Sequence, residues 1–178
     1  MVGIDSTFLS LMLHPKSRPP LDPTTKKPLE RVEDRIEKLL RDLDADGERI
    51  VLPVPSLCEF LILAGRDAPA YLDKLAAMRA ILVRPFDEKA AIELAAKELE
   101  DRAAGSKRGG SPETWNKIRF DRQIVAIVST NGGSRIYSDD DGLKKYAVRC
   151  GLTTVSSWEL PLPPAKQTEM DFASGGPE

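Results

Sequence analysis

Val2-Gly3-Ile4-Asp5-Ser6-Thr7-Phe8-Leu9 is the stretch on which the fold turns. A short apolar run ends in an acid, and two hydroxyl residues that favour helix N-caps follow it. Apolar residues then resume at Phe8, Leu9 and Leu11 to Leu13. That order predicts a strand, a tight turn and a helix. The same alternation runs down the chain. Between Glu30 and Leu43, Val32, Ile36, Leu39, Leu40 and Leu43 fall on one face of a helix with a charged back. Ile50 to Val54 reads as a buried strand, with Pro53 marking an edge or a strand end. Ser56 then caps a helix that ends at Gly65, and a further helix runs from Pro69 to Ala80. Ile81 to Val83 predicts a strand, and Asp87 caps a helix over Glu88 to Ala104. Trp115 to Val128 reads as a helix more deeply buried towards its C-terminal end. Arg135 to Ser138 predicts a short strand delivering three consecutive acids; a helix through Leu143 to Val148 and a strand over Leu152 to Val155 follow.

Short strands alternating with helices define an α/β class: a three-layer α/β/α domain with a mostly parallel sheet of four to five strands. It covers residues 1–160, broken by a Pro-rich irregular loop over 14–28 and a basic, glycine-rich break over 105–112. Residues 161–178 lose all periodicity and read as a polar, disordered tail.

The 178 residues suit one domain, and 41% apolar with 30% charged residues is an ordinary globular mix. Lysine and arginine number 26 against 28 acids, a formal net charge of −2. Such a balance excludes a protein that coats nucleic acid by bulk charge and leaves room for a local site. Cys58 and Cys150 lack disulfide-framework and metal-ligand spacing and read as buried thiols of a reducing compartment. The first residues lack the basic region of a signal peptide, and no apolar run approaches the roughly 18 residues of a membrane span. The expected setting is cytoplasmic, with no membrane partner.

Four acids sit where their surroundings disfavour them. Asp5 ends an apolar strand, and Glu59 lies within Leu57-Cys58-Glu59-Phe60-Leu61. Asp121 stands between Phe120 and the apolar run from Ile124, and Asp139 ends the strand Ile136-Tyr137-Ser138. Taken singly, each has an ordinary reading: a cap, a solvated face, or a partner for Arg119 or Arg122. Taken together they point to one site. Ligands of open α/β sheets gather at the C-terminal strand ends, where Asp5 and Asp139 both fall. Converging carboxylates with no histidine among them form a hard oxygen-donor set, suited to Mg²⁺ or Mn²⁺ rather than zinc. The single histidine, His14, lies in the Pro-rich loop and reads as a surface residue.

Four segments in register resemble the PIN-domain nucleases, VapC-like toxin ribonucleases and their relatives. They are Ile4-Asp5-Ser6, Val54-Pro55-Ser56-Leu57-Cys58-Glu59, Asp121-Arg122-Gln123-Ile124-Val125-Ala126 and Ile136-Tyr137-Ser138-Asp139-Asp140-Asp141. The resemblance implies a PIN-like domain and a divalent-metal-dependent endoribonuclease hydrolysing phosphodiester bonds, the toxin of a toxin–antitoxin pair. It implies catalytic roles for Asp5, Glu59, Asp121 and Asp139, with the same four and Asp141 as metal ligands. The pattern leaves Asp139 or Asp141 as the nearer ligand; Asp139, at the strand end, is the one expected, with Asp141 in support. Ser6 and Ser138 would support ligand carboxylates. An antitoxin protein and a second copy of the chain are the implied partners.

Two departures stand out. The stretch before Glu59 is longer than in small toxin-type members, mainly through the Pro-rich loop, and Gly142-Leu143 follows the last acids where an aromatic is common.

An RNA substrate needs positive flanks. Arg102, Lys107, Arg108, Lys117, Arg119 and Arg122 outnumber Glu113 and Asp121 across 102–122. Lys107, Arg108 and Arg119 are the expected phosphate contacts, and Trp115 reads as core in preference to a base-stacking platform. Gln167 to Phe172 resembles the short peptides that bind bacterial sliding clamps. Two other readings compete. A haloacid-type phosphatase wants a second acid two residues after Asp5, where Thr7 stands. A non-catalytic PIN-like RNA-binding or scaffold module would be signalled by loss of an acid, and all four are present.

Overall fold

A computed structural model describes residues 1–14, 17–105 and 113–163. Lys107, Arg108, the Gln167–Phe172 motif and the tail from residue 164 onward lie outside the described residues.

Five strands form one sheet: β1 (Val2–Ile4), β2 (Ile50–Pro53), β3 (Ile81–Arg84), β4 (Arg135–Tyr137) and β5 (Thr153–Val155). Their order is β3-β2-β1-β4-β5, and every pairing is parallel. The helices are α1 (Ser6–Leu13), α2 (Val32–Ala45), α3 (Val54–Ala64), α4 (Ala68–Ala77), α5 (Glu88–Ala103), α6 (Trp115–Thr130) and α7 (Asp141–Arg149). Parallel strands need both faces covered, and the two-residue side-chain period divides them between two cores. Val2, Ile4, Ile50, Leu52 and Tyr137 join α1, α2, α3 and α4 residues on one face. Val51 and Ile136 join α5, α6 and α7 on the other. Gly3 faces α6 so closely that a Cβ there would lie 2.4 Å from Val128 Cγ2, so only glycine lets helix and strand meet.

Several boundaries differ from the sequence expectation for identifiable reasons. Asp5, rather than Ser6 or Thr7, caps α1 by accepting the Phe8 N–H at 2.9 Å, which frees the Ser6 hydroxyl. Pro53 marks a strand end within an interior strand, and α3 starts directly on Val54. The Pro-rich segment is more ordered than expected. Leu21 bridges Pro28, the Asp22 carboxylate accepts the Thr24 and Thr25 N–H groups, and Leu29 is buried. With α1 and α2 this segment borders a cavity of about 580 Å³. His14 is half-buried and stacks on Tyr71, with ring centroids 5.9 Å apart, rather than standing free at the surface. Cys58 is exposed and Cys150 half-buried, so the expected pair of buried thiols is not found; both are free. Among the described residues no helix is long and apolar enough to cross a membrane.

Candidate metal centre

The direction in which successive strands are added to the sheet reverses between β1 and β4, though all strands run parallel: β2 and β3 extend to one side of β1, β4 and β5 to the other. Such switch points open a crevice at the C-terminal strand ends. Asp5 leaves β1 into it, and Ser138, Asp139 and Asp140 leave β4 beside it.

Asp5 is buried at 3% exposure. One oxygen caps α1; Oδ2 accepts a short hydrogen bond from the Ser138 hydroxyl. Burial pushes its pKa up to about 7 despite those two donors, and the charges of Asp139 and Asp140 push the same way. Glu59, in the second turn of α3, is exposed, and its Oε2 accepts the Ser6 hydroxyl at 2.7 Å. Asp121 lies on α6 with its side chain 15% exposed. Burial raises its pKa to about 6; Lys117 opposes the shift, while Asp140 and Glu59 add to it. The electrostatic neighbours of Asp5 and Asp121 thus run through Asp140, which touches both sets.

The three consecutive acids part company here. The strand ends at Tyr137 and α7 starts at Asp141, so Asp140 is the N-cap: its Oδ1 accepts the Leu143 N–H at 2.9 Å. Its Oδ2 accepts from the Lys117 ammonium at 2.7 Å, and its own N–H donates to Ser138 Oγ at 3.1 Å. Burial pushes the Asp140 carboxyl up, but Lys117 and the Leu143 and Gly142 amides outweigh it and hold the group below the usual range. Asp139, the expected ligand, is half-buried, and its charge acts on Asp5 together with that of Asp140. Its two oxygens accept the Ser157 N–H and hydroxyl, each at 2.7 Å, tying β4 to the 3₁₀ turn Ser157–Glu159. Asp141 is exposed and paired with Lys144 at 3.2 Å.

The structure therefore sets Asp139 and Asp140 within electrostatic reach of Asp5, and Asp140 and Glu59 within reach of Asp121, while Asp141 is exposed. Arg119 is exposed on α6, and Arg122 faces away from Asp121 towards Asp101 and Glu98. Sequence reasoning passed over Asp140 as a site residue and counted Lys117 only among the basic flanks. An acid immediately before a helix with an apolar residue three positions on is a capping signal that identifies Asp140. The i, i+4 spacing from Lys117 to Asp121 puts that ammonium beside the acids.

Gly142 lets the backbone lie close against these groups. A Cβ there would stand 3.1 Å from Asp140 Oδ1, 3.7 Å from Asp121 Oδ2 and 3.8 Å from Lys117 Nζ. Among the described residues no group of three or more acids, cysteines or histidines is placed to hold a metal ion as it stands. The donor chemistry is nonetheless uniform: hard carboxylate oxygens at a partly buried crevice, with a cation, the Lys117 ammonium, already against them.

No protein-family model and no curated protein matches the sequence. Solved structures match the fold. A chain of VapBC2 from Rickettsia felis, in a complex bound to a DNA fragment from their promoter, superposes with a TM-score of 0.53. Identity is 13%, over 88% of this chain and 98% of that one. A chain of DNA-bound VapBC from Salmonella typhimurium gives a TM-score of 0.53 at 12% identity, over 88% and 97%. At such identity the likeness speaks to architecture: the chain has a PIN-like α/β fold, with a five-stranded parallel sheet flanked by helices.

Proposed function

We propose that the chain is a divalent-metal-dependent endoribonuclease and the toxin of a toxin–antitoxin pair. The observation that carries this reading is electrostatic: at the β1/β4 crevice Asp139 and Asp140 act on Asp5, and Asp140 and Glu59 act on Asp121. The likeness to chains of VapBC complexes supports the toxin–antitoxin part.

The donor set fits Mg²⁺ or Mn²⁺, which Asp5, Asp121 and Asp140 would hold, with Glu59 direct or through water. Such an ion, when bound, lowers the pKa of water and neutralises charge building on a phosphodiester. The remaining work belongs to the chain. Ser138 holds the Asp5 carboxylate in place and Ser6 holds Glu59. Burial of Asp5 and Asp121 leaves their charge poorly solvated, which favours cation capture. Arg119, Lys107 and Arg108 supply positive charge for the phosphate backbone of RNA. Apolar side chains exposed on α3 (Ile62, Leu63) and α5 (Ile92, Leu99) offer surface for an antitoxin and a second copy of the chain. Free thiols at Cys58 and Cys150 suit a reducing cytoplasm.

Cleavage of single-stranded RNA and DNA with Mn²⁺ or Mg²⁺ tests this reading. Asp5→Asn, Asp121→Asn and Asp140→Asn are each expected to lose more than the roughly 10–100-fold that removing a mere supporting partner of a metal ligand costs. Asp139→Asn is expected to retain most activity. Cleavage that survives all three site substitutions refutes the assignment, and RNA binding without cleavage by the wild type would favour a binding module.

A further inference from the structure

We propose that Lys117 is the built-in counter-ion of the acidic crevice, and that a divalent cation loads by displacing its ammonium from Asp140. The inference rests on reading the crevice as a metal site and adds the residue that sets its affinity. Lys117 lies one helical turn before Asp121 on α6, so both side chains project on one face. Its Nζ is 2.7 Å from Asp140 Oδ2, 3.7 Å from Asp121 Oδ2 and 3.8 Å from Glu113 Oε1. It thus spans two of the carboxylates a cation would bridge.

The other oxygens of the crevice have partners that a cation need not expel. Phe8 N–H and Ser138 hold Asp5, Ser6 holds Glu59, and Leu143 N–H holds Asp140 Oδ1. Those donors are dipoles; Lys117 carries a full charge. A divalent ion sits about 2.0–2.2 Å from its carboxylate oxygens, and an ammonium on Asp140 Oδ2 would remain within strong repulsion of it. Asp140, Asp121 and Lys117 all crowd against the Gly142 backbone, so a cation on the two carboxylates would have to share their immediate surroundings with the ammonium. Glu113, just before the Thr114 cap of α6, gives the displaced ammonium a second partner.

Isothermal titration of the metal-stripped full chain with Mn²⁺ tests this. Lys117→Ala is expected to bind Mn²⁺ at least about tenfold more tightly than wild type, the scale of removing one like charge a few Å away. Lys117→Met, which keeps the alkyl stem, is expected to do the same, and circular dichroism establishes that each variant is folded. Lys117→Arg, which keeps the charge, is expected to bind like wild type. Equal or weaker binding by both neutral variants overturns the inference while leaving the metal reading intact. So does tightening in Lys117→Arg as large as in Lys117→Ala. Absence of Mn²⁺ binding to wild type and to both neutral variants overturns the metal reading and this inference with it. Asp5→Asn, expected to abolish the titration in every background, identifies the crevice as the place of binding.

Discussion

Asp5 has two duties that pull against each other. As the cap of α1 it must keep an oxygen on the Phe8 amide, and as part of the crevice it must carry charge in a buried place beside other acids. In the folded chain its pKa is pushed up to about 7 from an ordinary 3.8, chiefly by burial. The sign of the linkage follows: a raised acid binds its proton more tightly when folded, so its contribution is fully favourable below about pH 4 and is lost as pH rises through 7. Without metal, the ionised side chain is then a net burden. Asp5→Asn keeps a capping oxygen and a donor for Ser138 but removes the charge. In EDTA at pH 8 the variant is expected to be more stable than wild type by on the order of 2–4 kcal/mol, an advantage that shrinks to nothing by pH 4. Urea unfolding at the two pH values measures this. An advantage independent of pH would mean that Asp5 does not titrate in the folded chain over this range.

At the scale of elements, one side of the sheet is braced by charge as well as by packing. Arg122, buried on α6, reaches Asp101 at 3.2 Å and Glu98 at 3.4 Å on α5, and its guanidinium lies over Trp115 and over Tyr146 of α7. Arg149 of α7 closes the network on Asp101. Removing one member strands the rest: Arg122→Ala is expected to cost about 3–5 kcal/mol in chemical denaturation, whereas Arg122→Met with Asp101→Leu is expected to recover much of it. A loss below about 1 kcal/mol for the single substitution would show the network to be solvated and weak. This brace also marks where sequence reading stopped. Strand and helix order, the Asp87 cap and the Gly65 stop were legible because periodicity and capping are local. The partner of Arg122 was not, since Asp101 lies across a helix pair and Asp121 stands next to Arg122 in sequence. Asp139 and Asp140 were inseparable for a related reason. In a run of three acids, which one caps α7 and meets Lys117 depends on where β4 ends and α7 begins, and a shift of one residue changes it.

For the molecule as a whole, the candidate site draws on distant parts of the chain: the end of β1, the second turn of α3, the middle of α6 and the cap of α7. Two of these elements, α3 and α6, belong to opposite helical layers. An ion held by all of them binds the folded state and has no comparable site in the unfolded chain, so occupancy couples to global stability. At a free Mn²⁺ concentration of about 100 Kd the gain is about 2.7 kcal/mol. For a chain of this size that raises the melting temperature by about 5–10 °C. Asp5→Asn is expected to melt at nearly the same temperature with and without Mn²⁺, because one of the bridging carboxylates is gone. Differential scanning calorimetry over a Mn²⁺ series distinguishes this from surface binding. Equal shifts in both proteins would place the ion elsewhere, whereas a rise confined to the wild type requires that β1, β4 and α6 meet on one cation.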